Sequence, residues 1–286
     1  MNNALAVLRG GNAAISTYDE DLEQLLAEED GGEENAFRFY ATQLKFPTGG
    51  MTTGFPTTDD SLVSVPFNAV ILVAQTNRAW WPKDNGDQTV GGAPLCASRD
   101  GVTGSFNMGS DLLRKAYQYP TIHPALPMID AGADMTLTHF DCATCPLARF
   151  VDGKGTPCKE LRRLLVLIEG MASPVILTVP TGSLSVFDRY ASAQKAQARR
   201  YFTVWTRFEL EKDKSKMSGA VYARLKLSFA RTCTTEEARA VVQVRKEFGE
   251  LVRKMTVTDV DYNTEPSVID GTASGVTVEP EPSVPF

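Results

Sequence analysis

The run "VPFNAVILVAQ" (65–75) is almost uninterrupted in its apolar residues. A short apolar run of this length predicts a buried strand, at the end of a strand-like stretch from about residue 36 to 75. Two further runs, "LLVLI" (164–168) and "PVILTVP" (174–180), predict core strands separated by a turn at Glu169-Gly170. Residues 76–110, rich in Gly, Asn and Asp, are expected to form long loops.

A hairpin and two helices are predicted in the second half of the chain. The alternating segments "YFTVWTRFEL" (201–210) and "VYARLKLSF" (221–229) flank a polar loop and predict an antiparallel pair. A helix is expected over 183–199, with Ser183 as its cap. Another is expected over 236–255, where Thr234 and Glu237 have the spacing of a capping box. The fold class is therefore a β-rich α+β core with few helices.

Composition places the chain among globular proteins. It has 286 residues, of which 43% are hydrophobic, enough for one good-sized core. We see no run of 18 apolar residues and no secretory signal, so we expect a protein that does not span a membrane. Five cysteines are an odd number without an export signal, which favours a reducing cytoplasm.

Charge is segregated along the chain. Nine of the 35 acidic residues lie in 10–34 and six in 256–286, and neither stretch contains Lys or Arg. The remaining 20 acidic residues lie in 35–255 with 28 of the 29 basic ones. This pattern predicts an acidic N-terminal arm (1–35), a cationic core (36–255) and a disordered acidic tail (256–286). A cationic body of this kind favours a polyanionic partner, and the alternative is that acidic arms only maintain solubility.

Four cysteines predict a metal site. Cys142 and Cys145 form a CxxC pair, Cys158 follows in "GKGTPCK", and Cys96 lies upstream in "APLCAS". Such a pair can chelate one tetrahedral Zn²⁺ while distant thiolates complete the shell. We therefore predict a structural zinc-binding insertion at about 96–158. His139 is an alternative fourth ligand to Cys96, and His123 is a weaker one. A redox-active CxxC and inert buried thiols are the other interpretations, whereas Cys233 is expected to be a buried small hydrophobe.

Aromatic and basic residues on the hairpin predict a surface for single-stranded nucleic acid. Rings can stack on bases of any identity, and cations follow the phosphates. The candidate residues on the non-core faces of the hairpin are Tyr201, Trp205, Arg207, Tyr222, Arg224 and Lys226, and Trp80 and Trp81, in a separate polar loop, are a second candidate platform. Arg199-Arg200 could add phosphate contacts, and Phe202 and Phe229 are assigned to the core faces of the two strands. The alternative is that the rings form ordinary cross-strand pairs covered by a helix, and the register of the two strands is open at this stage.

The last eight residues, "EPEPSVPF", cannot fold because prolines separate the acidic residues. An aromatic residue at the end of such a tail is expected to insert into a pocket of another protein. The partner-binding candidates are Glu279, Glu281, Pro285 and Phe286.

The tail resembles that of single-stranded-DNA-binding proteins of bacteria, phages and plasmids, many of which end in an acidic segment closing on Pro-Phe. The cysteine cluster is similar to the zinc-bearing subgroup typified by the helix-destabilising proteins of T-even phages, although the order and spacing of the ligands differ. This resemblance implies an OB-like barrel with an inserted zinc-binding module. It further implies a bacteriophage-type protein that coats single strands in DNA replication, recombination and repair, and that recruits replication and repair proteins through Phe286.

Two other functions are compatible with the same residues. A strand-annealing or recombination-mediator protein would also bind single strands, and a zinc-scaffolded structural or adaptor protein would have no role on DNA. Catalysis is not expected, because the sequence lacks a phosphate-cradling GxxxxGK[ST], an HExxH and a metal-binding carboxylate cluster.

Overall fold

The computed structural model describes residues 8, 42–47, 49–81, 94–106, 139–149, 156–171, 173–215, 219–255 and 257. The strands are β1 (Gln43–Leu44), β2 (Gly54–Pro56), β3 (Leu62–Ser64), β4 (Phe67–Trp80), β5 (Cys96–Ser98), β6 (Thr103–Phe106), β7 (His139–Asp141), β8 (Lys159–Ile168), β9 (Val175–Val179), β10 (Val204–Lys214) and β11 (Val221–Thr232). The helices are α1 (Leu184–Ala196) and α2 (Thr235–Lys254).

A mixed sheet is organised around β4. One edge of β4 pairs antiparallel with β8 along most of its length, and β8 continues to β9 and then to β1, which is parallel to β9. The other edge of β4 pairs with two strands, one at each end. The start of β4 pairs with β10, which leads to β11, and its end pairs with β5, which leads to β6 and β7. The hairpin and the cysteine-bearing strands therefore lie at opposite ends of one long strand.

The apolar run of β4 is explained by cover on both faces of the sheet. Val70 and Leu72 point towards α2 and pack with Val241, Val244 and Phe248 of that helix. Their neighbours Ala69 and Ile71 point the other way, into a second cluster with α1 and β2. The strand 65–75 was predicted correctly, and it reads as continuous because neither face meets water.

The start of α2 was also predicted correctly. The Thr234 hydroxyl accepts from the backbone N–H of Glu237, and the Glu237 carboxylate accepts from the backbone N–H of Thr234, which completes the capping box. The first of the two helices begins as expected after Ser183, but the Ser183 side chain does not cap it. That hydroxyl instead accepts from the N–H of Leu225, in the hairpin.

Other expectations need correction. The stretch 76–110 is not loop throughout, because β4 extends to Trp80 and β5 and β6 follow. No closed barrel forms among the described strands, since β1, β7 and β11 each have one strand partner there. The coarser expectation, a β-rich α+β core with a mixed sheet and few helices, is confirmed. Among the described residues no helix is long and apolar enough to cross a membrane.

Candidate functional site

The four predicted zinc ligands come from three separate places in the chain. Cys96 begins β5, opposite Trp80 of β4 and Phe106 of β6. Cys142 follows β7, and its N–H donates to the carbonyl of Val102 at 2.8 Å. The turn that continues from it carries Cys145, and Cys158 immediately precedes β8.

These cysteines line one cavity of about 20 Å³, together with apolar side chains that include Trp80, Phe140 and Leu147. This volume is enough for one water-sized occupant. Gly104 forms part of the wall. A Cβ at that position would stand 3.3 Å from the Cys96 Sγ and 3.6 Å from the Cys142 Sγ, so the missing side chain leaves room for the two sulfurs.

Burial raises the pKa of three of the cysteine thiols that line the cavity. Burial is the main cause that raises the pKa of Cys96 above its ordinary value, and repulsion from charge on Cys158, Cys142 and Cys145 adds to it. Burial likewise raises the pKa of Cys158 to about 12. The pKa of Cys142 is raised by burial too, against opposing effects of a hydrogen bond from Ser98 and the charge of Arg78. Four thiolates in this pocket would need a cation among them.

The cavity fits a thiophilic ion in ligand type and number. In the part of the chain that the structure describes, no three His, Cys, Asp or Glu side chains are already arranged as a ligand set. All four cysteines nevertheless line one cavity. A thiol can turn about χ1 without moving the backbone, so the four sulfurs can converge on an ion in that cavity. Four sulfurs at about 2.3 Å would make the tetrahedral shell of structural Zn²⁺.

Neither of the two histidines proposed as alternative fourth ligands is found at the cavity among the described residues. His139 is exposed on β7 and does not line the cavity, whereas Cys96 does. His123 lies outside the described residues. Cys233 is buried in the core between the sheet and α2, apart from the other four.

The three tryptophans are core side chains, and their predicted stacking on bases needs correction. Trp80 is 3% exposed, Trp81 is 4% exposed and Trp205 is 1% exposed. Trp80 and Trp81 belong to the apolar cluster beside the cysteines. Trp205 lies under α2, and its Nε1–H donates to the Glu237 carboxylate at 3.2 Å. None of the three rings presents a face to a base.

The hairpin register brings Arg207, Tyr222, Arg224 and Lys226 onto one face, since Glu209 lies opposite Lys226 and Asp213 opposite Tyr222. Their cations, however, have acidic neighbours. Lys226 lies 3.2 Å from Glu209, which is also 3.7 Å from Arg207. Asp213 accepts from Arg224 at 3.1 Å and from the Tyr222 hydroxyl at 3.0 Å. This face is of mixed charge, which weakens it as a phosphate surface.

A second group of cations and rings, which we call the arginine–aromatic surface, consists of two stacked sets that the segment 199–202 joins: Arg199 with Phe229, and Arg200 and Arg245 with Phe202. The Arg199 guanidinium lies over the Phe229 ring at 4.1 Å. Arg245, on α2, lies 4.0 Å from the Phe202 centroid, and Arg200 lies 5.9 Å from the same ring. Phe229, which the alternation placed in the core, is 40% exposed.

The charges of this surface differ from those of the hairpin face. Among the described residues no carboxylate lies within ion-pair distance of Arg199, Arg200 or Arg245. The Arg199 Nε donates to the Gln194 side chain at 3.0 Å, which orients it without neutralising it. Tyr201 joins the group, with its ring 5.5 Å from Phe202 and 6.0 Å from Arg245.

Sequence reasoning used only part of this group. It considered Arg199-Arg200 as phosphate contacts, assigned Phe202 and Phe229 to the core, and did not consider Arg245. The signal in the sequence is "RRYF" (199–202), two arginines directly before two rings. The partner-binding candidates Glu279, Glu281, Pro285 and Phe286 lie outside the described residues.

Comparisons with protein-family models, with curated proteins and with solved structures find no match for this chain. The resemblance to single-stranded-DNA-binding proteins therefore stays a prediction from the tail and the cysteines.

Proposed function

We propose that this protein binds single-stranded DNA without sequence preference, and that the arginine–aromatic surface is the site of contact. The observation that carries the proposal is the arrangement of Arg199, Arg200 and Arg245 against Phe202 and Phe229, with no carboxylate near the three guanidinium groups among the described residues. The cationic balance of residues 35–255 supports it.

Each component of this surface has a role in the proposal. A guanidinium matches the geometry of a phosphate and can donate two parallel hydrogen bonds to it. Arg199 and Arg245 already stack on rings, which restricts their rotamers before a ligand arrives. The exposed part of Phe229 can receive a base, since a ring stacks on any base. The proposal does not depend on an OB-like barrel, because these contacts need only an exposed ring beside cations.

The proposal is tested with three substitutions on each of two surfaces. We expect Arg199→Gln, Arg200→Gln and Arg245→Gln together to weaken the binding of a labelled oligo-dT by roughly tenfold or more, since charge-assisted contacts are lost. The matched control is Arg207→Gln, Arg224→Gln and Lys226→Gln, which removes the same charge from the hairpin face. Equal losses in the two variants would mean that only net charge matters, and would contradict the assigned site.

The two rival functions give distinct outcomes in the same assays. A strand-annealing protein would, in addition, accelerate pairing of two complementary oligonucleotides. An adaptor without a DNA role would show no binding to oligo-dT at physiological salt.

We also propose that Cys96, Cys142, Cys145 and Cys158 hold one structural Zn²⁺. The support is that residues far apart in sequence line the same small cavity, where Gly104 leaves space for two of the sulfurs. A shell of four thiolates has no open position, so the ion would stabilise the fold and would not catalyse.

Metal content of purified variants tests this second proposal. We expect one Zn²⁺ per chain in the wild-type protein and little in Cys142→Ser. Cys233→Ser is the control, because it removes a buried thiol outside the cavity and should keep the metal. Full zinc content in Cys142→Ser, or none in the wild type, would contradict the proposal.

The proposal further includes a role in replication and repair, a cytoplasmic location and the recruitment of partners. The residues proposed to recruit partners are Glu279, Glu281, Pro285 and Phe286. The role and the recruitment rest on the tail sequence, and the location rests on the odd number of cysteines. Deleting residues 279–286 should abolish partner binding and leave the contact with oligo-dT in place.

A further inference from the structure

The end of α2 and the described residues after it, Met255 and Val257, which we call the segment 253–257, contact the part of the sheet that leads to the cysteine cavity. Gln75 of β4 makes the first link. Its Nε2 donates to the carbonyl of Arg253 at 3.3 Å and to the carbonyl of Arg99 at 2.5 Å. Arg99 lies in the turn between β5 and β6, so one amide joins the end of the helix to the strands that carry the cavity.

Arg163 makes the second link. It lies directly opposite Gln75 in the register of β4 and β8, and it is 1% exposed. Its Nη1 donates to the carbonyl of Met255 at 3.1 Å. The last carbonyls of a helix have no donor within the helix, and these two side chains supply donors to carbonyls at the end of α2.

Val257 makes the third link, through apolar contact. It is 5% exposed and belongs to the same cluster as Cys96, Cys158 and Trp80. The side chain two residues beyond Met255 therefore packs among residues that line the thiol cavity.

The strands around the cavity are too short to hold this arrangement alone. β5, β6 and β7 contain three, four and three residues, and so small a unit is marginal without a cross-link or a larger core. The turn from β5 to β6 is fixed by Asp100, whose carboxylate accepts from the N–H groups of Val102 and Thr103, both at 2.8 Å. Gly104 follows this turn, and a Cβ there would stand 3.3 Å from the Cys96 Sγ and 3.6 Å from the Cys142 Sγ.

We infer that metal loading of the cavity and docking of the segment 253–257 are coupled, so that the metal fixes where the chain leaves the core after α2. This inference rests on the proposed zinc site. A cation bound by the four thiols would join β5, the turn after β7 and the residue that precedes β8, and so would hold the surface on which the segment lies. Coupling is reciprocal, and the docked segment must favour metal binding by the same factor.

Hydrogen exchange read by mass spectrometry tests the inference on the full chain. Zinc-loaded protein and protein treated with a chelator are compared, with metal content measured on the same samples. We expect exchange in peptides covering 251–257 to be roughly tenfold faster without metal, within the usual range of coupling. Peptides covering 204–212 in β10, far from the cavity, should change little.

A pair of variants tests the reciprocal effect. Val257→Ala removes the apolar contact and should weaken zinc binding several-fold in competition with a chromophoric chelator. Val242→Ala is the control, because Val242 is 43% exposed on α2 and does not contact the cavity. Protein that loses its zinc without a change in exchange at 251–257 would overturn the inference and leave the zinc site intact. Protein that binds no zinc would overturn both, and neither result bears on binding of oligo-dT.

Discussion

Glu237 joins α2, the helix that contains Arg245, to strands β10 and β11 of the sheet. Replacing Glu237 by Gln is the sharpest test of how α2 packs on the sheet. The Glu237 carboxylate accepts from four donors: Trp205 Nε1 at 3.2 Å, Arg231 Nη1 and Nη2 at 2.8 Å each, and the N–H of Thr234 at 2.7 Å. A Gln side chain has one acceptor oxygen and no charge, so it cannot satisfy them all.

The expected size of the effect follows from the burial of these donors. Losing the partner of a buried donor such as the Trp205 N–H lowers the free energy of unfolding by about 1–3 kcal/mol. The Arg231 side chain is 46% exposed, so its ion pair adds less than about 1 kcal/mol. We therefore expect Glu237→Gln to lower the free energy of unfolding by about 2–3 kcal/mol and Tm by about 5–10 °C.

The matched control is Glu236→Gln, measured beside it by thermal and denaturant unfolding. Glu236 is exposed in the same first turn of α2, and its replacement removes the same charge from the helix N-terminus. We expect its effect to stay below about 0.5 kcal/mol. Equal destabilisation by the two substitutions would refute the network, because only the shared loss of charge would then matter.

The pH dependence adds a second check. The pKa of Glu237 lies below its usual range, chiefly because of the hydrogen bonds from Arg231. The stabilisation from its charge is therefore complete at neutral pH and is lost as the pH falls through the lowered pKa. The difference in stability between the wild-type protein and Glu237→Gln should shrink in acid. A difference that stayed constant down to low pH would contradict this assignment.

Three further predictions concern other parts of the molecule. Gly104→Ala should weaken zinc binding severalfold, because its Cβ would stand 3.3 Å from the Cys96 Sγ; unchanged affinity in a chelator competition would contradict the cavity geometry. Tyr190→Phe should lower the free energy of unfolding by about 1–2 kcal/mol, since it leaves the buried Thr206 hydroxyl, now 2.6 Å away, unpaired. Adding Thr206→Val should recover part of that loss, and a strictly additive double variant would show that the pair does not interact. Finally, because all three Trp side chains are buried, binding of oligo-dT should change the intrinsic Trp emission little, whereas strong quenching would restore the stacking role that we have corrected.

Local patterns were sufficient to predict the elements that depend on local chemistry. The capping box at Thr234 and Glu237 needs only residues three positions apart, and it forms as expected. The run 65–75 is apolar at most positions because α2 lies on one face of β4 and α1 with β2 on the other.

The same two-sided cover explains why Trp205 was wrongly predicted to be exposed. Alternation along 201–210 separates two faces, but it does not say which face a later helix will cover. α2 covers the sheet at Trp205, whereas Arg207, two residues along, is exposed. The ring therefore packs in the core although its neighbour on the same face reaches water.

Residues that meet only through the tertiary fold were predicted in part. Cysteine spacing indicated a shared site. The sheet brings Cys96 and Cys158, which are far apart in the chain, to the same cavity. The arginine–aromatic surface joins the end of α1, the end of β11 and the middle of α2. The contacts of Arg199 with Phe229 and of Arg245 with Phe202 leave no periodic signal in the sequence.

The central claim is that this protein binds single-stranded DNA, and fluorescence anisotropy of a labelled oligo-dT, titrated in parallel with a duplex of equal length, tests it most directly. We predict tight binding of the single strand, much weaker binding of the duplex, and a log–log salt dependence with a slope of about −2 or steeper, as expected for three arginines on single-strand phosphates. Binding of neither DNA at low salt, or equal affinity for both, would contradict the account.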